Sequence, residues 1–202
     1  MKLYFSPGAC SLSSHIALRE AGVPFDLEQV DLAAKKTKSG ADFKAINPKG
    51  YVPALQLDDG EVLTEAAVIA QYVADHKPDA KLAPPHGTAE RRRLQESLNF
   101  IATEVHKGFS PLWKPTTPDA YKQIVKDNLA TRFDMIEAKL AGQPWFAGQA
   151  FTVADAYLFT VLNWANFLKL DMGKWPNIQA YMGRVAARPK VQEALKAEGL
   201  VK

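Results

Sequence analysis

Cys10 is the one cysteine in a chain of 202 residues, and it follows the turn-forming stretch Ser6-Pro7-Gly8-Ala9. A short apolar run, Leu3-Tyr4-Phe5, precedes that turn, and a helical pattern of Ser11, Leu12, Ser14, Ile16, Ala17 and Leu18 follows it. A strand, a tight turn and a helix start therefore bring the sulfur to a helix N-terminus. Unpaired N–H groups and the positive dipole end favour an anion there. A thiol so placed can be activated as the thiolate, its reactive form. The same pattern also fits a buried free cysteine with no chemical role. Cys10-Ser11-Leu12-Ser13 has the monothiol form of a C-x-x-C site. It suits a mixed disulfide with a small thiol, but holds no second thiol to resolve it.

Other residues could do chemistry, each with a plainer alternative. Glu65 stands at a helix start, Thr64-Glu65-Ala66, where a first-turn charge is favourable on its own. Val52-Pro53 precedes a strand; a trans proline is the default from sequence. Lys35 lies in a polar loop and reads as a solvated lysine unless a ligand meets it. Asn99, Thr103 and His106 recur at steps of four and three on a helical stretch, so they share one face of an α-helix. His106 beside Lys107 makes a cationic pair that favours a nearby thiolate, although a lone helical histidine is more often structural or exposed. Phe109, Trp113, Tyr157, Trp164 and Phe167 could line an apolar pocket, with core packing the better reading for at least half of them. His15, His76, His86 and His106 show no ligand spacing with one another or with Cys10, so no metal is expected. No Walker A loop or dinucleotide fingerprint is present.

These residues need a frame to position them. A hydrophobic fraction of 47% supports a real core, and a net charge of +3 is small for this length. Arg91-Arg92-Arg93 lies between Glu90 and Glu96 on a helical pattern, which reads as a solvated face rather than a nucleic-acid surface. A lone cysteine fits a reducing compartment. Met1–Phe5 meets Pro7-Gly8 too soon for a signal segment, and no apolar run could span a bilayer. A soluble, cytoplasmic protein with no nucleic-acid or membrane partner is expected.

Strand patterns fall at Leu3–Phe5, Leu27–Leu32, Ala54–Leu57 and Val62–Leu63, the last two joined by the hairpin signal Asp58-Asp59-Gly60. Helical patterns fall at Ser11–Ala21, Asp42–Ile46 and Thr64–Asp75. The order βαβ, α, ββα predicts a thioredoxin-like α/β domain over residues 1–80. Pro78–Gly87, with Pro84-Pro85, reads as a linker. Beyond it only helices are predicted, at Thr88–Gly108, Pro118–Leu140, Thr152–Leu168, Asn177–Ala187 and Lys190–Ala197, giving an all-α domain over 88–202. Thr152-Val153-Ala154-Asp155 is a capping-box start, and the apolar helix after it should be the core of that domain.

The blocks Ser6–Leu12, Asn47–Leu55, Leu63–Ala66, Glu104–Phe109 and Phe151–Tyr157 together resemble the glutathione transferases, most closely the bacterial beta class. The resemblance implies a thioredoxin-like domain that binds glutathione, a helical domain that forms most of the electrophile pocket, and a homodimer with part of each glutathione site near the partner chain. It implies that Glu65 and the backbone of Ala66 grip the γ-glutamyl end, and that Val52 before a cis Pro53 pairs with the cysteinyl amide. It places Lys35 at the glycyl carboxylate. It sets Asn99, Thr103, Glu104 and His106, with the main chain of Val105, over the thiol or towards the partner's site. Cys10 and His106 would then be catalytic, and Phe109, Trp113 and Trp164 would line the electrophile pocket. Glutathione would be the only small co-substrate, without a metal. Two chemistries follow: conjugation of glutathione to apolar electrophiles, and exchange through a Cys10–glutathione mixed disulfide. A glutathione-dependent reductase or dehalogenase, or a non-catalytic glutathione-binding stress protein, are the alternatives.

Overall fold

Leu3, Tyr4 and Phe5 are buried in β1 (Lys2–Phe5), the central strand of a five-stranded sheet in a computed structural model that describes residues Met1–Lys202. The other strands are β2 (Asp26–Asp31), β3 (Lys36–Thr37), β4 (Ala54–Gln56) and β5 (Val62–Thr64). The α-helices are α1 (Ser11–Ala21), α2 (Phe43–Ile46), α3 (Ala66–His76), α4 (Ala89–Phe100), α5 (Lys107–Phe109), α6 (Asp119–Ala141), α7 (Val153–Leu162), α8 (Trp164–Phe167), α9 (Pro176–Ala186) and α10 (Pro189–Ala197). The chain divides into two compact units, Met1–Ala83 with Ala187–Lys202, and Pro84–Ala186.

In the first unit the sheet order is β3-β2-β1-β4-β5. β1 runs parallel to β2, Leu3 opposite Leu27, and antiparallel to β4, Leu3 opposite Leu55. The parallel pair needs a crossover, which α1 supplies. That helix stops at Gly22, whose φ of 66° is the left-handed C-cap conformation glycine adopts most easily. The β4–β5 hairpin turns at the predicted Asp58-Asp59-Gly60, with Gly60 at φ 93°. The polar loop holds one unpredicted element, β3, too short to show a period. The result is the thioredoxin-like α/β layer expected from the strand and helix order.

The expected helical domain ran to residue 202, but its last stretch packs in the first unit. α10 lies on α1, and buried polar contacts fix it there. Glu198 Oε1 pairs with His15 Nδ1 at 2.9 Å, and neither side chain has exposed surface. Glu198 Oε2 accepts the Gly8 amide at 2.9 Å. Arg19 Nε donates to His15 Nε2 at 3.0 Å; since Arg can only donate, the imidazole carries its proton on Nδ1, facing Glu198. Arg188 adds a two-pronged pair to Glu20, both contacts 2.7 Å. An isolated helical pattern in the sequence carries no information about which unit it will cover.

The second unit is all helical. All ten residues of α7 are buried, as an all-round apolar helix requires. The predicted capping box at its start is present: Thr152 Oγ1 accepts from the Ala154 amide, and Asp155 reaches back to the Thr152 amide at 2.8 Å. Asp155 also accepts from the Phe146 amide at 2.7 Å, Thr152 Oγ1 at 3.2 Å and the Tyr181 hydroxyl at 3.0 Å. Burial pushes the Asp155 carboxyl above the usual carboxylate range, against the pull of these donors. The helix predicted through Leu168 is interrupted at Asn163, whose side chain takes a bond from Asn166 Nδ2. The solvated arginine face holds for Arg92 and Arg93. Arg91 departs from it: only 2% exposed, it sends Nη1 to the Pro84 carbonyl at 3.2 Å.

Asp155→Ala would leave two buried amides and two hydroxyls short of their acceptor. Denaturant unfolding should show the variant less stable by about 3–5 kcal/mol, from the cost of orphaned buried donors. A loss below about 1 kcal/mol would mean that water replaces the carboxylate.

Candidate active site

Cys10 is the N-cap of α1. The turn before it is held from several sides. Ala9 N bonds Ser6 O at 3.0 Å, and Ser11 Oγ accepts the Ser6 amide at 3.2 Å. Gly8, at φ 70°, gives its amide to Glu198. Ser13 Oγ donates to the Cys10 carbonyl at 2.7 Å. The half-buried sulfur donates to the Val52 carbonyl at 3.1 Å, and the Val52–Pro53 bond is cis. Cys10, on the first helix, and Val52, forty-two residues later, thus meet as neighbours. Two influences act on the sulfur: the helix end favours an anion, while a carbonyl acceptor favours the S–H form.

Glu65 is the N-cap of α3 and carries φ 70°, a conformation costly for any residue with a Cβ. Its Oε1 accepts Lys49 Nζ at 2.8 Å and the Tyr51 hydroxyl at 2.9 Å. The hydrogen bond that Lys49 donates to the Glu65 carboxylate holds its ammonium above the usual lysine range. Partial burial, then the Glu65 carboxylate, pushes the Tyr51 phenol up. With side chains 47% and 54% exposed, the Lys49–Glu65 pair is screened by solvent and adds little stability. It does not account for the strained backbone that presents the carboxylate. Lys49 and Tyr51 were not anticipated: they sit 16 and 14 residues from Glu65, with no periodicity to link them. Buried Ala66 opens α3 behind Glu65.

Lys35, expected to be solvated or on a ligand, sends Nζ to the Gly50 carbonyl at 2.8 Å. Lys35 and Lys44 both pack over Gly50, 3.6–3.7 Å from where a Cβ would stand. The loop that leads into Val52 is therefore flanked by amines.

The second unit holds the other group. After α4 the chain continues as a π-helix, Ile101–His106, before α5. Single π turns inside α-helices recur at functional sites. The wider turn alters the expected common face of Asn99, Thr103 and His106. Thr103 Oγ1 does bond the Asn99 carbonyl at 3.0 Å, both residues being exposed. Thr103, Glu104 and Lys107 line a groove walled by Tyr121, Asn128 and Arg132 of α6, where Glu104 takes Arg132 at 2.8 and 3.0 Å. His106 instead turns to α7 and α8: Nδ1 lies 2.6 Å from the Tyr157 hydroxyl, and the ring meets Trp164 edge-on at 4.9 Å. Lys107 and His106, expected as a cationic pair, thus face different neighbours. Val105 is buried and has only its main chain to offer. Phe109 has no exposed surface and packs on Phe133 and Trp164, so it is core rather than lining. Trp164 is 6% exposed, whereas Trp113, edge-on to it at 6.0 Å, is 45% exposed. No group of three or more His, Cys, Asp or Glu side chains is placed to hold a metal ion.

Two family models match, "Glutathione S-transferase, N-terminal domain" over residues 8–76 and "Glutathione S-transferase, C-terminal domain" over residues 100–189. The chain is 52% identical over 200 residues to the glutathione S-transferase GstA of Escherichia coli O157:H7, covering 99% of this chain and 100% of that one. The solved structure of a sphingomonad glutathione S-transferase complexed with glutathione is 48% identical with a TM-score of 0.96, each chain covered in full. A bacterial beta-class glutathione S-transferase from Sphingomonas chungbukensis is 50% identical with a TM-score of 0.97, again over the whole of both chains. The chain belongs to the glutathione S-transferase family of enzymes.

The strain at Glu65 can be read from two substitutions that both delete the carboxylate. Glu65→Gly relieves the positive φ and Glu65→Ala keeps it. Chemical denaturation should find the glycine variant more stable than the alanine variant by about 1 kcal/mol. Equal stabilities would show that the φ of 70° costs nothing.

Proposed function

We propose that this enzyme conjugates reduced glutathione to apolar electrophiles and also catalyses thiol–disulfide exchange through a mixed disulfide between Cys10 and glutathione. The observation that carries the reading is the meeting of Cys10 Sγ and the Val52 carbonyl, 3.1 Å apart, beside Pro53. An extended peptide that pairs with the backbone of Val52 sets its own cysteinyl sulfur close to Cys10.

Each polar end of glutathione then has a partner. Glu65 takes the ammonium, and the N–H groups opening α3 at Ala66 take the γ-glutamyl carboxylate. Lys35, released from Gly50, meets the glycyl carboxylate. Asn99, Thr103, Glu104, the Val105 main chain and His106 serve the thiol or the partner's site in a homodimer. Trp113 and Trp164 form the apolar wall that receives the electrophile. In conjugation, the glutathione thiolate attacks the electrophile to form the thioether; in a substitution the leaving group departs with the electron pair of its bond, and in an addition the resulting anion takes up a proton. In exchange, the Cys10 thiolate attacks a glutathione-containing disulfide and expels the other thiolate. A second glutathione thiolate then attacks the mixed disulfide, releasing Cys10 and oxidised glutathione, because the chain has no other cysteine. The cytoplasm is the compartment that supplies reduced glutathione. The monothiol form of Cys10–Ser13 favours a second reading, a glutathione-dependent reductase or dehalogenase, which differs in its product: oxidised glutathione and reduced substrate instead of a stable thioether.

Cys10→Ala should lose disulfide exchange nearly completely while still binding glutathione by calorimetry. Retention of full exchange activity would eliminate the mixed disulfide. A wild-type protein that bound no glutathione would remove the whole reading.

A further inference from the structure

We propose that Tyr157 is a positioning residue that donates its hydroxyl proton to Nδ1 of His106, fixes the imidazole as the Nε2–H tautomer, and so makes His106 a hydrogen-bond donor to anionic sulfur rather than a base. The part played by sulfur rests on the glutathione reading above; the tautomer does not.

The geometry begins with α7. Tyr157 is 2% exposed on a helix whose every residue is buried. Two residues before it, Asp155 fixes the start of that helix through Thr152, Phe146 and Tyr181. The phenol is therefore carried on a buried, capped helix. His106 comes to it on the π-helical stretch, and its ring is held on two sides. It stands at 87° to the Tyr157 ring, 5.8 Å between centroids, and at 72° to Trp164, 4.9 Å away. An imidazole gripped in this way cannot turn over without displacing two buried rings. The Nδ1–hydroxyl distance of 2.6 Å is short.

Which nitrogen of a histidine carries the proton is set by the bond the other nitrogen makes. A phenol is a strong O–H donor and a weak acceptor. An unprotonated imidazole nitrogen is a strong acceptor. The favoured arrangement is O–H···Nδ1, which leaves the ring proton on Nε2. His106 then offers Nε2–H away from Tyr157. An N–H stabilises a thiolate and cannot take up the thiol proton, which must leave to solvent. The resulting role is electrostatic: a fixed donor aimed at developing negative charge. Tyr157 touches neither sulfur nor electrophile in this scheme; it acts through His106.

Nitrogen-15 NMR of the whole protein, with ring signals identified by difference from His106→Gln, reads the tautomer directly. The expected result is a protonated Nε2 and an unprotonated Nδ1 in the wild type, and a mixture of tautomers in Tyr157→Phe. A wild-type His106 protonated on Nδ1 would overturn the proposal, whatever glutathione does. In kinetics, Tyr157→Phe should lower kcat by about tenfold, the worth of one hydrogen bond to a charge-stabilising group, with KM for glutathione little changed. A donor role further predicts that His106→Gln, which keeps an N–H, retains several-fold more activity than His106→Ala. Equal loss in both variants would refute the donor role. Normal NMR with wild-type turnover in His106→Ala would leave the tautomer standing and sink the sulfur reading alone.

Discussion

The Asp155 carboxylate is buried among the Phe146 and Thr152 amides and the hydroxyls of Thr152 and Tyr181. The Glu198 carboxylate is buried between the Gly8 amide and His15. A carboxylate without water is costly unless donors surround it, so each acts as a hub that only one chain arrangement satisfies. In the second unit, the Asp155 hub sets where α7 begins and ties it to α9 through Tyr181. In the first, the Glu198 hub ties α10 to α1 and to the turn that presents Cys10. Loss of either removes the acceptor of two or more buried donors, and a buried donor left unsatisfied costs about 1–3 kcal/mol.

The residues proposed to carry the chemistry sit where regular structure ends. Cys10 caps one helix, Glu65 caps another at a positive φ, Val52 precedes a strand, and His106 closes a π-helical stretch. Backbone groups at such points are not all used internally, and side chains there are aimed by the neighbouring packing rather than by a periodic face. The strain at Glu65 falls on a residue whose carboxylate takes an exposed ion pair from Lys49 and a phenol hydrogen bond from Tyr51. Rigid frames with irregular ends are a common way to hold a small polar molecule by several short contacts at once.

The elements were legible because their signals are local. The alternation near β4 and β5, the Asp58-Asp59-Gly60 turn and the Thr152–Asp155 box all lie within a few residues of the structure they cause. Cys10 at a helix start was legible for the same reason. Lys49 and Tyr51 around Glu65, Arg132 on Glu104 and Tyr157 on His106 were not. Each pair is brought together by packing across 14 to 51 residues, and nothing in one partner's surroundings names the other. Arg91 shows the same limit in reverse, since a charge inside a basic run gives no sign that it will be buried on a carbonyl.

The sequence by itself determined the order of strands and helices, the thioredoxin-like class of the first unit, the all-α character of the second, and the presence of a lone thiol at a helix start. These follow from hydrophobic period and turn chemistry, which act over a single turn or strand. Tertiary structure alone decided that the last helix belongs with the first unit, and that a π turn sends His106 to Tyr157 while Thr103 and Lys107 face α6. It also decided that the sulfur of Cys10 rests on the Val52 carbonyl. Those outcomes depend on which buried polar group finds which partner, a choice made only when distant segments compete for the same interior space.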